Sequence, residues 1–166
     1  LHKAIHSFPT RRSSDLAKFK DLASREACVN FYVSQVDAIN NWDLVDLSCY
    51  KILGHWLFDK DKQLLYDWAK ENHLWKQRIA MITCMHFVKQ GEFKDALAIA
   101  DLLQHHPHDL IHKAVGWILR EIGKENEQLL VDYLTPRYKE MPRTMLRYAI
   151  ERFEEGKRKA FLHSKV

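Results

Sequence analysis

A chain of 166 residues, 46% hydrophobic and 11% aromatic, can bury one sizeable core and suits a single domain. Its formal net charge of +4 is uneven: residues 137–166 hold nine Lys/Arg against four Glu, residues 1–16 are basic, and the stretch between them is slightly acidic. No apolar run reaches membrane-spanning length and no signal-peptide pattern is visible, while Cys28, Cys49 and Cys84, an odd count with no CxxC pair, fit a reduced, cytosolic compartment, which is the expectation. The basic C-terminal stretch is either a surface for a polyanion or an ordinary solvated helix face.

Near the start of the chain, "HSFPTRRSSDL", His6 to Leu16, has no amphipathic period. These eleven residues match the translation of a common short-read sequencing adapter. Residues 1–16 are therefore expected to be an artefactual, disordered tail, with the helical domain spanning 17–166. Beyond Leu16 the apolar period predicts helices over 22–36, 42–57, 62–71, 74–90, 93–104, 109–123, 126–134, 142–153 and 155–162. Asn40 or Asn41 can cap the second, Gly91, Gly123 and Gly156 stand at helix ends, and Pro107 and Pro142 stand at or before helix starts. No strand is predicted. "RIAMI" at Arg78, "KAVGW" at Lys113 and "RYAIE" at Arg147 recur at intervals of 35 and 34 residues, each with a cation leading an apolar helix. That interval is the length of a two-helix solenoid unit, with a plain helical bundle as the alternative.

In "NNWDLVDLSCYKILGHWL", Asp43 falls in the first helical turn, where the helix dipole favours a carboxylate. Asp46 lies one turn further in, between Val45 and Leu47 and on the same side as Trp42. A carboxylate so placed must face a cleft or a cation. Arg78 is the expected cation, because it interrupts the apolar stripe Leu74, Trp75, Ile79, Ile82, Met85. An arginine there either pairs with a buried acid or grips a phosphate through its planar fork. In "HDLIHKAVGWILREIGK", Lys113, Gly116, Trp117 and Arg120 share one helical face, where an indole among cations, with a glycine giving room, suits a sugar–phosphate backbone. The bland reading is a tryptophan with one edge in the core. His108 and His112 sit at i, i+4 but have no third ligand of suitable type, so capping and surface roles are expected and no metal site. No Walker loop, GxGxxG or GxSxG is present.

"NNWDLVD", "LWKQRIA", "HKAVGWILREIGK" and "MPRTMLRYAIERF" appear in that order, and together they resemble the AlkD-type alkylpurine DNA glycosylases over Ala17 to about Leu162. The resemblance implies an all-α fold, a HEAT-like α-solenoid, here a fragment lacking the family's N-terminal repeats. It also implies hydrolysis of the N-glycosidic bond of cationic N3- or N7-alkylated purines in duplex DNA. By motif, Asp46 takes the place of the catalytic aspartate, Trp42 and Trp117 those of the two cleft tryptophans, and Arg78 that of the cleft arginine. Arg78, Lys113, Arg120, Arg143 and Arg147 are expected on one concave, DNA-facing side. The implied partner is duplex DNA carrying alkylated bases, with no cofactor, no metal and no membrane, bound by a monomer in the bacterial cytoplasm. Two alternatives stand beside this: a non-catalytic DNA-binding module on the same fold, and a protein-binding solenoid scaffold.

Overall fold

The computed structural model describes residues 20–163 and 166, so the tail expected over residues 1–16 lies outside the described residues. Among the described residues every regular element is helical. Helix α1 (Leu22–Gln35) runs into a 3-10 turn, Val36–Ala38. Helix α2 (Trp42–Asp46) follows, then a π turn, Tyr50–Gly54, that leads into α3 (His55–Leu57). The rest is α4 (Gln63–Lys70), α5 (Leu74–Lys89), α6 (Lys94–Leu103), α7 (Asp109–Glu125), α8 (Glu127–Leu134), α9 (Arg143–Ala149) and α10 (Glu155–Leu162).

The helices form two rows, as the repeat interval predicts for a solenoid. In the first, α2 and the π turn pack on α5, α5 on α7, and α7 on α9. In the second, α4, α6 and α8 back the first row, with α4 against α5 and α6, α6 against α5 and α7, and α8 against α7. The three repeat cations, Arg78, Lys113 and Arg147, fall on α5, α7 and α9, so each belongs to the same row. Tyr66 Oη donates to Asp95 Oδ1 at 2.7 Å, and Tyr133 Oη donates to Asp101 Oδ1 at 2.8 Å. These two bonds tie α4 and α8 to α6 in the second row. Helix α5 sits at the centre: apart from His86, every residue from Gln77 to Val88 is buried. It is thus covered on all sides, and not only along the stripe read from its sequence.

Several helix ends follow from local chemistry. Asn41 caps α2 by accepting from the Asp43 N–H at 3.1 Å. Gly91 has φ of +81°, the left-handed conformation that glycine reaches without a Cβ penalty, and it stops α5. His73 and His108 cap α5 and α7, each accepting a backbone N–H through Nδ1, at 3.3 and 3.1 Å. Gly123, by contrast, is interior: α7 continues to Glu125, and Asn126 closes it and caps α8 by accepting from the Leu129 N–H at 3.0 Å. Gly156 lies in the first turn of α10, whose cap is Glu154, accepting from the N–H groups of Gly156 and Lys157 at 2.8 and 3.2 Å.

The largest departure from the predicted elements is the 42–57 helix, which is three pieces. Ser48 is the reason at its break. Its hydroxyl turns back to the Leu44 carbonyl and lies 3.3 Å from Tyr32 Oη, while its N–H bonds Val45 at 3.2 Å in a tightened turn. A serine side chain that competes for backbone carbonyls bends or breaks a helix. The π turn that follows brings Ile52, Leu53 and Gly54 into the interior. Gly54 lies so close to α5 that an added Cβ would stand 2.5 Å from His86 Cβ. The predicted 142–153 helix also stops early, at Ala149, with the chain turning through Glu151–Phe153 before α10.

Candidate functional site

The break after Asp46 places that residue at the end of a short helix facing α5 across a gap. Arg78 fills the gap. Its Nε donates to Asp46 Oδ1 at 3.0 Å and its Nη2 to Asp46 Oδ2 at 2.7 Å, a bidentate pair. Its Nη1 donates to the carbonyl oxygen of Leu110, in the first turn of α7. One guanidinium therefore ties together three successive members of the row. The side chains are 6% exposed for Arg78 and 12% for Asp46, so the pair is nearly dry while one edge of the carboxylate still meets the surface. A carboxylate oxygen has two lone-pair directions, and the arginine uses one on each. Capacity remains on the open side.

That open side is a cleft of about 340 Å³ lined by Trp42, Asp46, Arg78, Leu110, Lys113, Trp117, Arg120 and Tyr148. Trp42 is half exposed at 50%, unusual for an indole in a helical protein. Trp117 is partly buried and packs against the core. Lys113 pairs with Asp109 at 2.8 Å, and this partner, with little opposition from burial, raises the lysine's pKa. Arg120 contacts Glu151 through Nη1. The sequence reading thus has its three acid-and-aromatic candidates, Trp42, Asp46 and Trp117, in one cleft, together with Arg78, Lys113 and Arg120. Arg143 and Arg147 do not line it. Both are exposed on α9, and Arg143 Nη1 donates to the Leu162 carbonyl at 3.0 Å.

Leu110 and Tyr148 are the cleft residues that sequence reasoning missed, and only Tyr148 left a signal. The signal lay in Gly116, read as room beside Trp117. The room is taken by the next helix: a Cβ on Gly116 would stand 2.5 Å from Tyr148 Cβ and 2.6 Å from the Met145 carbonyl oxygen. Gly116 is where α9 closes on α7, and that closure seats the tyrosine at the cleft wall.

A second hollow, of about 360 Å³, lies between Leu22 and Arg25 of α1 and the segment from His55 to Lys60, with His86 beneath. The rings of His55 and His86 are 4.0 Å apart, and burial together with the neighbouring His55 and Lys89 pulls the His86 pKa down to about 4. Among the described residues no three His, Cys, Asp or Glu side chains form a group that could hold a metal ion. No described helix is long and apolar enough to cross a membrane.

A two-row helical repeat with a carboxylate pinned at the base of an indole-walled, cation-rimmed cleft defines the class of protein: an all-α solenoid carrying a polar site along one row of helices. The chain belongs to the DNA alkylation repair enzyme family, whose model matches residues 13–153. No curated protein matches the chain.

Proposed function

We propose that this protein is a DNA glycosylase that hydrolyses the N-glycosidic bond of cationic N3- or N7-alkylated purines in duplex DNA. The observation that supports this reading above all is the Asp46 carboxylate, held in a fixed orientation by Arg78 at the base of a cleft walled by Trp42, Trp117 and Tyr148.

An alkylated purine of this kind already carries a positive charge and departs as a neutral base, so no general acid need protonate it. The demand moves to the deoxyribose, which becomes oxocarbenium-like as the bond lengthens. A carboxylate oriented before the reaction, in a site with little water, stabilises that charge without reorganising. It can also accept a hydrogen bond from the attacking water. Arg78 serves here as a positioning residue. All three of its nitrogens already have partners within the protein, which leaves the phosphate-binding role to Lys113 and Arg120 at the rim. Trp42 and Trp117 would pack on the sugar and backbone, excluding water and adding cation–π attraction to the developing charge. Arg143 and Arg147, exposed on α9 next to the Tyr148 wall, would lengthen the basic surface along the duplex.

One observation favours a second reading. Both oxygens of Asp46 are engaged by Arg78, as in a purely structural ion pair, and the protein would then be a non-catalytic DNA-binding module. Asp46→Asn separates the two. If the carboxylate is catalytic, single-turnover release of methylated purines from alkylated duplex falls about 10²–10³-fold while duplex binding persists. Wild-type release rates from folded Asp46→Asn protein would sink the catalytic assignment.

A further inference from the structure

Arg120 is unusual among the cleft cations. Its side chain is 20% exposed, and its Nε is buried with no hydrogen-bond partner among the described residues. Glu121 Oε1 is 3.7 Å from that nitrogen, outside hydrogen-bonding range, and is itself held by Lys124 at 2.7 Å. Glu121 thus meets the charge of Arg120 only as a longer ion pair, and the direct contact is made at Nη1 by Glu151, in the turn after α9, whose side chain is 50% exposed. A half-buried guanidinium with one donor already unsatisfied is poorly placed to stand alone, so something anionic must face it in the free protein. Glu151, half exposed in the turn after α9, fills that place, and it reaches Arg120, a residue of the cleft lining, from outside that lining.

We propose that Glu151 is an exchangeable counterion. It neutralises Arg120 in the free protein and is displaced by a DNA phosphate when the cleft engages a duplex. The inference rests on the reading of this cleft as a DNA-backbone site. It has two physical consequences. The exchange subtracts the Arg120–Glu151 attraction from the affinity for duplex, damaged or not. It also alters the ion balance. A phosphate contact releases counterions from DNA, but a freed Glu151 recruits a cation of its own, so Arg120 adds less to the salt dependence than an unpaired arginine would.

The test is binding of an undamaged duplex followed by fluorescence anisotropy across a salt series, for wild type, Glu151→Gln, Arg120→Gln and the double variant. Glu155→Gln is the charge-matched control, since Glu155 pairs with Lys159 at 2.5 Å on α10, outside the cleft. Glu151→Gln is expected to bind roughly fivefold tighter at low salt, the scale of one partly exposed ion pair. The slope of log K against log salt should steepen by about 0.9. Adding Arg120→Gln should cancel both changes, and Glu155→Gln should leave the slope at its wild-type value. Glu151→Gln behaving like Glu155→Gln, with both folded by urea denaturation, overturns the inference. So does a Glu151→Gln effect confined to stability. Wild-type protein whose duplex binding is insensitive to salt overturns the cleft reading and this inference together. A steep wild-type slope with an unchanged Glu151→Gln slope overturns this inference alone.

Discussion

Asp46 and Arg78 concentrate the energetic risk of the site in two side chains. A nearly dry ion pair contributes little net stability when intact, but breaking it strands a charge. Arg78→Met should therefore cost roughly 3–5 kcal/mol in urea denaturation, because it strands Asp46 and also removes the donor to the Leu110 carbonyl. Arg78→Lys keeps the charge without the fork, so it should cost less in stability yet still slow excision by loosening the carboxylate. A loss below about 1 kcal/mol for Arg78→Met would show that the pair is more hydrated than its geometry indicates. At the second hollow, His86 has its folded pKa held near 4, below its ordinary 6.5. As pH falls from about 6.5 to about 4, the unfolded chain takes up a proton that the folded chain refuses. Stability contributed by the neutral ring is thus present above that window and declines through it. His86→Gln should flatten this part of the melting-temperature profile against pH, and an unchanged profile would assign the acid sensitivity to other groups.

Helix packing decides what the cleft is made of. Gly116 lets α9 approach α7, and the same approach delivers Tyr148. Gly116→Ala must push both the Met145 carbonyl and Tyr148 Cβ away, and neither is the free end of a flexible side chain. Overpacking of this kind costs about 1–3 kcal/mol. Because the displaced element carries a cleft wall, the variant should also lose duplex affinity, whereas a neutral result in both urea denaturation and anisotropy would mean that α9 is not held in register by this contact. The interruption of the 42–57 segment works at the same scale. A continuous helix would carry Asp46 on a uniform 3.6-residue turn with Ile52 and Leu53. The Ser48 break and π turn instead let Asp46 meet the cleft while Ile52 and Leu53 are fully buried.

Across the whole molecule, charge and repeat geometry act together. The row α2, α5, α7, α9 carries the cleft, and the row α4, α6, α8 braces it through Tyr66–Asp95 and Tyr133–Asp101. If duplex DNA runs along the first row, removing a phosphate-contacting cation should weaken binding about equally for all sequences and lower the salt slope by about one. Lys113→Gln, at the cleft rim, is expected to do so. Arg147→Gln tests whether the groove continues along α9 beyond the cleft, and the same loss of slope is expected there. Binding by Arg147→Gln with a wild-type slope would confine the DNA contact to the cleft.

Much of this architecture was legible in the sequence because it rests on local regularities. A 3.6-residue apolar period, scarce Gly and Pro, and a recurring cation at 35 and 34 residues are enough for paired helices, and those helices form the two rows. The Asp46–Arg78 partnership was legible too, since each charge interrupts an apolar stripe and a buried charge requires an opposite one. Other features had no such local mark. Tyr148 reads as one more residue of an amphipathic helix until a neighbouring backbone closes over Gly116. Glu151 reads as a solvated acid until the turn after α9 folds it onto Arg120. The saturation of the Arg78 fork needs the Leu110 carbonyl, a backbone group that no side-chain pattern announces. Periodicity and buried charge are properties of one segment and its burial, so the sequence alone determined most of the helices and the need for the pair, but not the break of the 42–57 segment at Ser48 or the early stop at Ala149. Which groups converge on one 340 Å³ cleft depends on how closely separate helices approach, and only the tertiary structure decided that.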